Sequence, residues 1–289
     1  MQTNIAVLLQ YILPKQAITS LAGKLANLEA GKLTTAVIRW FVNRYNVNMA
    51  EAAQPDISTY KTFNDFFTRP LKNNARPLAQ ADFICPVDGA ISQLGNIEAD
   101  QIFQAKGHHY STTALLAGDK SLAKKFENGH FACLYLSPKD YHRIHMPCDG
   151  ELQRMIYVPG ALFSVNPTTA QGVPGLFARN ERVVCEFNSE QHGCFVMVLI
   201  GATIVGSMAT VWHDALNGIV NPPRSRSIRE WSYHNQNIKL KQGDEMGRFL
   251  LGSTVVMLFS KDSLNFNDAW HAEKLIKLGE MMGSCRSDL

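Results

Sequence analysis

Charged side chains are scarce in this sequence. Asp, Glu, Lys and Arg make up 18% of its 289 residues, whereas roughly a quarter is usual in soluble domains. Part of the surface is therefore expected to face something other than water. The net charge of +3 is too small to indicate nucleic-acid binding. Hydrophobic residues reach 46%, which disfavours disorder and allows a large core.

Several common catalytic signatures are absent. The chain contains no G-x-S-x-G elbow, P-loop, dinucleotide-binding glycine motif or H-E-x-x-H helix, which disfavours the common hydrolases, kinases, dehydrogenases and zinc proteases. Its six cysteines form no C-x-x-C pair and show no zinc-binding spacing. We expect them to be buried free thiols in a reducing compartment, and we expect no metal site.

The sequence also has no apolar run that favours a membrane span over other structures. The N-terminus lacks the basic start of a signal peptide, and Pro14 interrupts its apolar stretch. Residues 195–212 carry no charge over 18 residues, which is the lower limit of a spanning helix. However, Val, Ile and Thr are frequent there, and Gly201 and Gly206 divide the stretch. This composition predicts two buried β-strands instead.

The first 75 residues are predicted to form an amphipathic helical region. Val37, Trp40, Phe41 and Tyr45 recur at the spacing of one helix face. Residues 1–50 carry five cations and one acid, a local charge of +4. Such a helix either packs on a core or lies on an anionic membrane surface, and the spacing alone does not decide between the two.

Residues 76–289 have the pattern of a β-rich catalytic domain. Short apolar runs alternate with Gly, Pro and Asn, which is typical of antiparallel sheets. The tetrapeptide Pro-x-Asp-Gly occurs twice, at residues 86–89 and 147–150, each time before an apolar run. Asp-Gly is frequent in turns, so both copies are interpreted as the starts of hairpins. The predicted fold class is α+β, with a mainly antiparallel β domain after the helical region.

A Gly-Ser-Thr triplet interrupts an apolar stretch at Gly252, Ser253 and Thr254. Hydroxyls in a buried strand must be hydrogen-bonded or take part in chemistry. If the chain bends at Gly252, the Ser253 hydroxyl can attack the Gly252 carbonyl carbon and convert the amide to an ester. Elimination then breaks the backbone and leaves dehydroalanine, which hydrolyses to an N-terminal pyruvoyl group. So weak a nucleophile needs a general base.

Residues 137–147, with the sequence SPKDYHRIHMP, offer such a base. Ser137, Pro138 and Asp140 have the pattern of a helix N-terminus, which predicts a single helical turn carrying His142. The chain is then expected to extend through His145, so that the two histidines stand on different elements. Each histidine is either a satisfied buried imidazole or a catalytic group, and both interpretations stay open here.

Four runs of the sequence resemble one family. They are FNDFFTRPLK at 63–72, PVDGAIS at 86–92, SPKDYHRIHMP at 137–147 and GDEMGRFLLGSTVV at 243–256. They closely resemble the membrane-associated bacterial phosphatidylserine decarboxylases, which are proenzymes that cleave themselves at Gly-Ser to make a pyruvoyl cofactor. The resemblance extends in order over about residues 60–260.

The resemblance implies a cleavage site and a cofactor. Cleavage between Gly252 and Ser253 would give a large β chain, 1–252, and a small α chain, 253–289, whose Ser253 becomes the pyruvoyl group that binds the substrate amine. The cleaved chains stay together, and relatives suggest a homodimer of cleaved protomers.

The resemblance also implies roles for individual residues. Asp88, His145 and Ser253 correspond to a charge relay for self-cleavage, and His142 to the residue that acts in decarboxylation, as a proton donor. Asp149 is the rival of Asp88, because it follows His145 by only four residues. We interpret Asp149 as a turn residue that uses its carboxylate locally.

The function implied by the resemblance is the conversion of phosphatidylserine to phosphatidylethanolamine and CO2 by a peripheral protein on the cytoplasmic face of the cell membrane. Two alternatives stay open. One is a serine hydrolase that keeps its chain intact and uses Ser253, His145 and Asp88 as a permanent triad. The other is a non-catalytic, membrane-bound β module.

Overall fold

A large antiparallel sheet organises the molecule. The computed structural model describes residues 10–203, 208–213, 227–250 and 254–285. Its strands are β1 (Phe83–Ile84), β2 (Gly89–Asn96), β3 (Gln101–Ala105), β4 (His108–Ser111), β5 (His130–Tyr135), β6 (Arg143–His145), β7 (Gly150–Val158), β8 (Arg182–Ser189), β9 (Gly193–Ile200), β10 (Met208–Thr210), β11 (Arg229–Ser232), β12 (Lys239–Leu240), β13 (Glu245–Phe249), β14 (Thr254–Phe259), β15 (Asn265–Phe266), β16 (Leu275–Ile276) and β17 (Met281–Ser284).

The helices are short except for the first two. They are α1 (Lys15–Ala26), α2 (Lys32–Tyr45), α3 (Phe63–Phe67), α4 (Thr112–Leu115), α5 (Lys120–Lys124), α6 (Pro167–Gly172) and α7 (Leu176–Arg179), with 3-10 turns at Met49–Glu51 and Ile57–Thr59. With antiparallel strand pairs throughout the large sheet, this confirms the predicted α+β class.

The nine-stranded sheet of the described residues has the order β11-β7-β8-β9-β14-β5-β2-β16, and β12 also pairs with β7. Its register aligns one residue of each of six adjacent strands at a single edge. From β7 to β2 these residues are Val158, Arg182, Ile200, Thr254, Tyr135 and Ala90. The loops that continue from this edge therefore lie side by side.

The central strands β9 and β14 are buried on both faces because the sheet lies between two hydrophobic clusters. Val255 and Met257 belong to one cluster, and Val256 and Leu258 to the other. Since side chains alternate between the faces of a strand, both faces must be apolar. The uncharged stretch 195–212 accordingly forms β9 and β10, as predicted, although residues 204–207 lie outside the described part. None of the described helices is long and apolar enough to cross a bilayer.

Three smaller sheets complete the described β structure. One has the order β1-β17-β15, a second has the order β10-β13-β6, and β3 pairs with β4. The second sheet carries the predicted site residue His145 at the end of β6, opposite Glu245 of β13.

Helix α2 forms a third cluster with α3 and the turns between them. Ile38 of α2 is fully buried beside Phe66 and Phe67 of α3. The short α3 is fixed by a capping box, in which the Thr62 hydroxyl accepts a hydrogen bond from Asp65 N–H and the Asp65 carboxylate accepts one from Thr62 N–H. One face of α2 thus packs on the core.

The rest of the apolar surface of α2 is exposed. The predicted face is split: Phe41 and Tyr45 pack against the third cluster, whereas Val37 is 43% exposed and Trp40 is 60% exposed. One side of α2 therefore packs on the core while another is exposed, and contact of the exposed side with a membrane stays a prediction.

Both Pro-x-Asp-Gly motifs lead into strands, but neither begins a hairpin. The strand before each motif pairs elsewhere, β1 with β17 and β6 with β13. Neither Gly89 nor Gly150 has a positive φ. A Cβ on Gly89 would overlap the Tyr135 carbonyl oxygen, and one on Gly150 would lie 2.9 Å from the Phe195 ring. Glycine is needed here because another part of the chain approaches closely, not because of turn geometry.

We expect Gly89→Ala to lower the free energy of unfolding by about 2 kcal/mol or more, because the backbone carbonyl of Tyr135 cannot rotate away. The matched control is Gly23→Ala in the middle of α1, where a Cβ meets nothing within 4 Å. That change should raise stability by about 0.5–1 kcal/mol. Urea unfolding of both variants measures the difference, and equal effects would contradict the close approach at Gly89.

Candidate active site

The segment between β13 and β14 lies between two anchored ends. Phe249 N–H donates a hydrogen bond to the carbonyl oxygen of His142 at 3.0 Å. Thr254 is the first residue of β14 and pairs with Tyr135 on one side and Ile200 on the other. The predicted cleavage residues Gly252 and Ser253 lie outside the described residues. Of the described residues on either side, Phe249 is bonded to the backbone of His142, and Thr254 is paired at the edge of the large sheet.

The segment that carries the two histidines begins with a turn and not with the predicted helical turn. Asp140 N–H donates to the Ser137 carbonyl at 2.9 Å, while the Ser137 N–H and hydroxyl each donate to the Asp140 carboxylate at 2.7 Å. Burial raises the pKa of Asp140. The capping interaction is thus present, but the chain extends directly after Asp140.

The two histidines stand on different elements, as expected: His145 is the last residue of β6 (Arg143–His145), whereas His142 lies in the connection before that strand. Only the predicted helical turn is missing, and the two rings have different surroundings.

His142 is fully buried and has one free ring nitrogen. Its Nδ1 lies 2.8 Å from the Asp140 carbonyl, so it is the nitrogen that carries the proton. The ring packs on Phe67 with centroids 4.0 Å apart. Burial lowers the pKa of His142 to about 3, which keeps the ring neutral. Nε2 is buried and has no hydrogen-bond partner within the described residues.

His145 is held by hydrogen bonds at both ring nitrogens. Nδ1 lies 2.7 Å from the Gly243 carbonyl, and Nε2 lies 3.1 Å from the Tyr141 hydroxyl. Since a carbonyl only accepts, Nδ1 carries the proton and Nε2 accepts from Tyr141. Burial lowers the pKa of His145 and raises that of Tyr141. Nε2 is therefore the basic atom of this ring.

The Asp88 carboxylate is held by Arg76. Arg76 Nε donates to Oδ1 at 3.0 Å and Nη2 donates to Oδ2 at 2.6 Å, while Leu278 N–H donates to Oδ1 at 2.9 Å. Arg76 also pairs with Glu51 at 2.6 Å. The two carboxylates raise the pKa of the Arg76 guanidinium through their hydrogen bonds. This buried ion pair is a feature that the sequence motifs did not indicate.

Asp88 and His145 are neighbours, but the hydrogen bonds of the described residues do not join them directly. His145 N–H donates to the carbonyl of Pro86, two residues before Asp88, at 2.9 Å. Burial has the largest effect on the pKa of His145 and lowers it, whereas the negative charge of Asp88 raises it by less than the Gly243 carbonyl and Glu245 do.

Asp149, the alternative to Asp88, has different partners. Asp149 is exposed, pairs with Lys241 Nζ at 2.8 Å and accepts the Gln242 N–H at 2.8 Å. These bonds lower the pKa of Asp149. Its carboxylate joins a distant turn of the chain, so the interpretation as a locally bonded turn residue was wrong.

One buried histidine, one partly buried histidine and an ion-paired carboxylate lie close together in this α+β fold, a combination typical of enzymes that move protons. The family model described as phosphatidylserine decarboxylase matches residues 63–284, and a second one, described as PSD, matches residues 5–46. The chain belongs to the phosphatidylserine decarboxylase family.

Curated relatives are similar over almost the whole chain. The phosphatidylserine decarboxylase proenzyme of Dechloromonas aromatica (strain RCB) is 72% identical over 98% of this chain and 99% of its own length. The proenzyme of Albidiferax ferrireducens is 70% identical over 96% of both chains. That of Azoarcus sp. (strain BH72) is 69% identical over 98% of this chain and 96% of its own.

The burial of His142 predicts a pH-dependent stability. The folded ring has a pKa of about 3, whereas the unfolded one titrates at about 6.5. The folded state therefore binds fewer protons, and stability present above pH 6.5 is lost as the pH falls towards 3, by about 1.4 kcal/mol per pH unit. We expect the free energy of unfolding of the parent to fall between a pH of about 7.5 and a pH of about 5.5. In His142→Gln this fall should be smaller by about 1 kcal/mol, as measured by urea unfolding.

Both chains in that experiment should carry Ser253→Ala, which removes the expected cleavage. The control is His271→Gln, at an exposed histidine, which should keep the pH dependence of the parent. An unchanged pH dependence in His142→Gln would show that the ring is not buried as described.

Proposed function

We propose that this chain is a proenzyme that cleaves itself between Gly252 and Ser253 and then converts phosphatidylserine to phosphatidylethanolamine and CO2, using a pyruvoyl group derived from Ser253. The observation that carries the proposal is that the described residues flanking this bond are both fixed: Phe249 is bonded to the carbonyl of the buried His142, and Thr254 is paired on both sides in the large sheet. The family relationship supports the same reaction.

Two unpartnered polar atoms favour a polar group at this position. His142 Nε2 and Thr254 Oγ1 are both buried, and neither has a hydrogen-bond partner within the described residues. An unsatisfied buried polar atom costs about 1–3 kcal/mol, so such atoms are expected where a ligand or reacting group completes them. The pyruvoyl group would supply a carbonyl that binds the substrate amine and withdraws electrons as CO2 leaves.

For self-cleavage, His145 is proposed as the base. Its Nδ1–H bond to the Gly243 carbonyl leaves Nε2 with the lone pair, which accepts from the Tyr141 hydroxyl in this structure and would take the proton of the Ser253 hydroxyl once that hydroxyl replaces Tyr141. Asp88 supports the positive charge that then develops on His145. Arg76 holds this carboxylate in place, which makes Arg76 a positioning residue for the relay.

For decarboxylation, His142 is proposed to move one proton twice. Its neutral ring with a free Nε2 is suited to take a proton from the substrate ammonium group, which must be deprotonated to react. The same atom then returns the proton to the substrate carbon that has lost CO2. A buried ring exchanges little with water, so the proton is retained between the two steps.

Membrane docking is proposed for the N-terminal region of residues 1–75, before the catalytic domain of residues 76–289. Two stripes of exposed apolar side chains follow the first two helices. One consists of Leu21 at 59% and Leu25 at 57% on α1 and Leu28 at 53% just after it, and the other of Leu33 at 65%, Val37 at 43% and Trp40 at 60% on α2. Lys24, Arg39 and Arg44 accompany them. Each such cation gains about 1 kcal/mol near an anionic leaflet.

This surface supports a peripheral location on the cytoplasmic face of the membrane, where the lipid substrate resides. A homodimer of cleaved protomers stays a prediction.

We expect Ser253→Ala to remain one chain without decarboxylase activity, because it removes both the nucleophile and the precursor of the cofactor. The parent should yield chains 1–252 and 253–289. Asp88→Asn should slow cleavage about tenfold or more, whereas Asp149→Asn, its counterpart in the second Pro-x-Asp-Gly, should be cut normally. His142→Ala should be cut but should decarboxylate poorly.

Intact-mass spectrometry and a CO2-release assay measure these outcomes. Two chains from Ser253→Ala would refute self-cleavage by this serine. If His142→Ala accumulates uncut while His145→Ala is processed, the two histidines have been assigned in reverse.

We expect Leu33→Ser to lower binding to vesicles of anionic phospholipid about tenfold, because an exposed leucine that enters the bilayer loses its apolar contact. The matched control is Leu275→Ser on β16, which is 73% exposed but outside the helices. It should bind as the parent does. Deleting residues 1–50 is a poorer test, because it would also remove the buried Ile38. Equal binding of the two serine variants, measured by vesicle sedimentation, would contradict docking through α2.

A further inference from the structure

Two cations meet over one aromatic ring at the junction between the N-terminal segment and the loop after β7. Lys15 Nζ lies 4.4 Å from the centre of the Phe163 ring, and Arg179 Cζ lies 5.0 Å from it. Arg179 Cζ also lies 5.8 Å from the ring centre of Tyr11. Burial lowers the pKa of Lys15, and the charge of Arg179 lowers it further. Each charge therefore disfavours the other, and an anion bound to both would relieve this repulsion.

Neither cation is neutralised by the described part of the protein. Among its ion pairs, none includes Lys15 or Arg179. Their hydrogen bonds go to carbonyl oxygens, that of Lys15 to Gln10 and that of Arg179 to Pro174 at 3.4 Å. The first turn of α1 contains no acidic residue. Arg179 is exposed, so its remaining N–H groups can reach a ligand.

The Phe163 ring, which both cations contact, is held in place by its buried surroundings. Phe163 is only 3% exposed, and its backbone N–H and carbonyl both bond to the side-chain amide of Asn180, at 3.1 and 2.8 Å. Asn180 is fully buried and also donates to the Gly201 carbonyl at 2.8 Å. Ser164 N–H donates to Gln10 Oε1 at 2.9 Å, which ties the loop to the N-terminal segment. The two cations therefore stand on a preformed platform.

The surface beside the platform is apolar and exposed. Tyr11 is 48% exposed, Ile12 80% and Leu13 45%. Cations directly beside exposed apolar side chains match the membrane interface, where lipid phosphates lie next to the acyl region. A guanidinium and an ammonium together match the oxygens of a phosphodiester, the first through paired N–H groups and the second as a point charge.

We propose that Lys15 and Arg179 form a binding site for the phosphodiester group of a membrane phospholipid. This site rests on the proposed function, since it requires the N-terminal region to dock on a bilayer. It differs from general attraction between cations and an anionic surface, because it recognises the phosphate itself. The site should therefore also act on a lipid with no net charge.

The experiment compares two double variants that lose the same charge. Lys15→Gln with Arg179→Gln removes the site, whereas Lys24→Gln with Arg39→Gln removes two exposed cations from α1 and α2. Binding is measured by sedimentation with vesicles of phosphatidylglycerol, phosphatidylcholine or digalactosyl diacylglycerol. These lipids carry an anionic phosphodiester, a phosphodiester without net charge, and no phosphate. Self-cleavage and thermal unfolding of each variant report whether the fold is intact.

On both phospholipids we expect the Lys15/Arg179 variant to bind about tenfold more weakly than the Lys24/Arg39 variant, because it loses charge-assisted hydrogen bonds to the phosphate. On the galactolipid the two should bind equally. Equal binding on the phospholipids would overturn the site, as would a difference that persists without phosphate. If the parent binds no vesicles, docking itself fails, which is a distinct result. Should the double variant misfold, Arg179→Gln against Arg39→Gln gives the same comparison with one charge.

Discussion

The pairing of β14 with both β5 and β9 is the constraint on which the site depends. A strand hydrogen-bonded on both sides cannot shift its register without breaking both ladders. Thr254 is consequently fixed at the end of β14, between Tyr135 and Ile200. On the other side of the proposed cleavage residues, Phe249 is bonded to the carbonyl of His142. Sheet pairing and this bond thus fix the described residues that flank the proposed cleavage site.

Desolvation is the second common theme of the site. His142 and Tyr141 are buried and His145 is partly buried, and in each case burial shifts the pKa towards the neutral form. Charged groups beside them are ion-paired: Arg76 balances Asp88 at 2.6 Å, and Arg143 balances Glu245 at 2.7 Å. Such a site suits both proposed reactions, since a serine proton and a substrate ammonium proton can each be taken up by a neutral imidazole.

Much of the fold follows from patterns that a sequence displays. The apolar runs predicted the central strands, including those within residues 195–212. These runs are continuous along β9 and β14 because both strands are buried on two faces. Local patterns misled where tertiary contacts override them. The helix-start pattern at Ser137 formed only its capping bonds, because the chain must extend at once to pair with β13.

The same limit applies to the site. Motifs identified His142 and His145, but Arg76 lies in no motif, and its role arises only because folding brings it to Asp88 and Glu51. Likewise the apolar spacing of α2 could not reveal that Ile38 is buried while Trp40 is exposed. Side chains on neighbouring sides of one helix differ only in what the rest of the fold places against them.

That division of α2 connects the proposed membrane surface to the proposed chemistry. Trp40 faces outward, whereas the next residue, Phe41, faces Phe67 with ring centroids 6.1 Å apart, and Phe67 lies 4.0 Å from His142. Since a helix with its side chains is about 10 Å across, the exposed stripe and the buried histidine are separated by little more than one packed layer. A lipid headgroup is small compared with its acyl chains, so a site directly behind the docking helix requires only the headgroup to leave the interface. The apolar chains can then stay in the bilayer, and the large free-energy cost of exposing them to water is avoided.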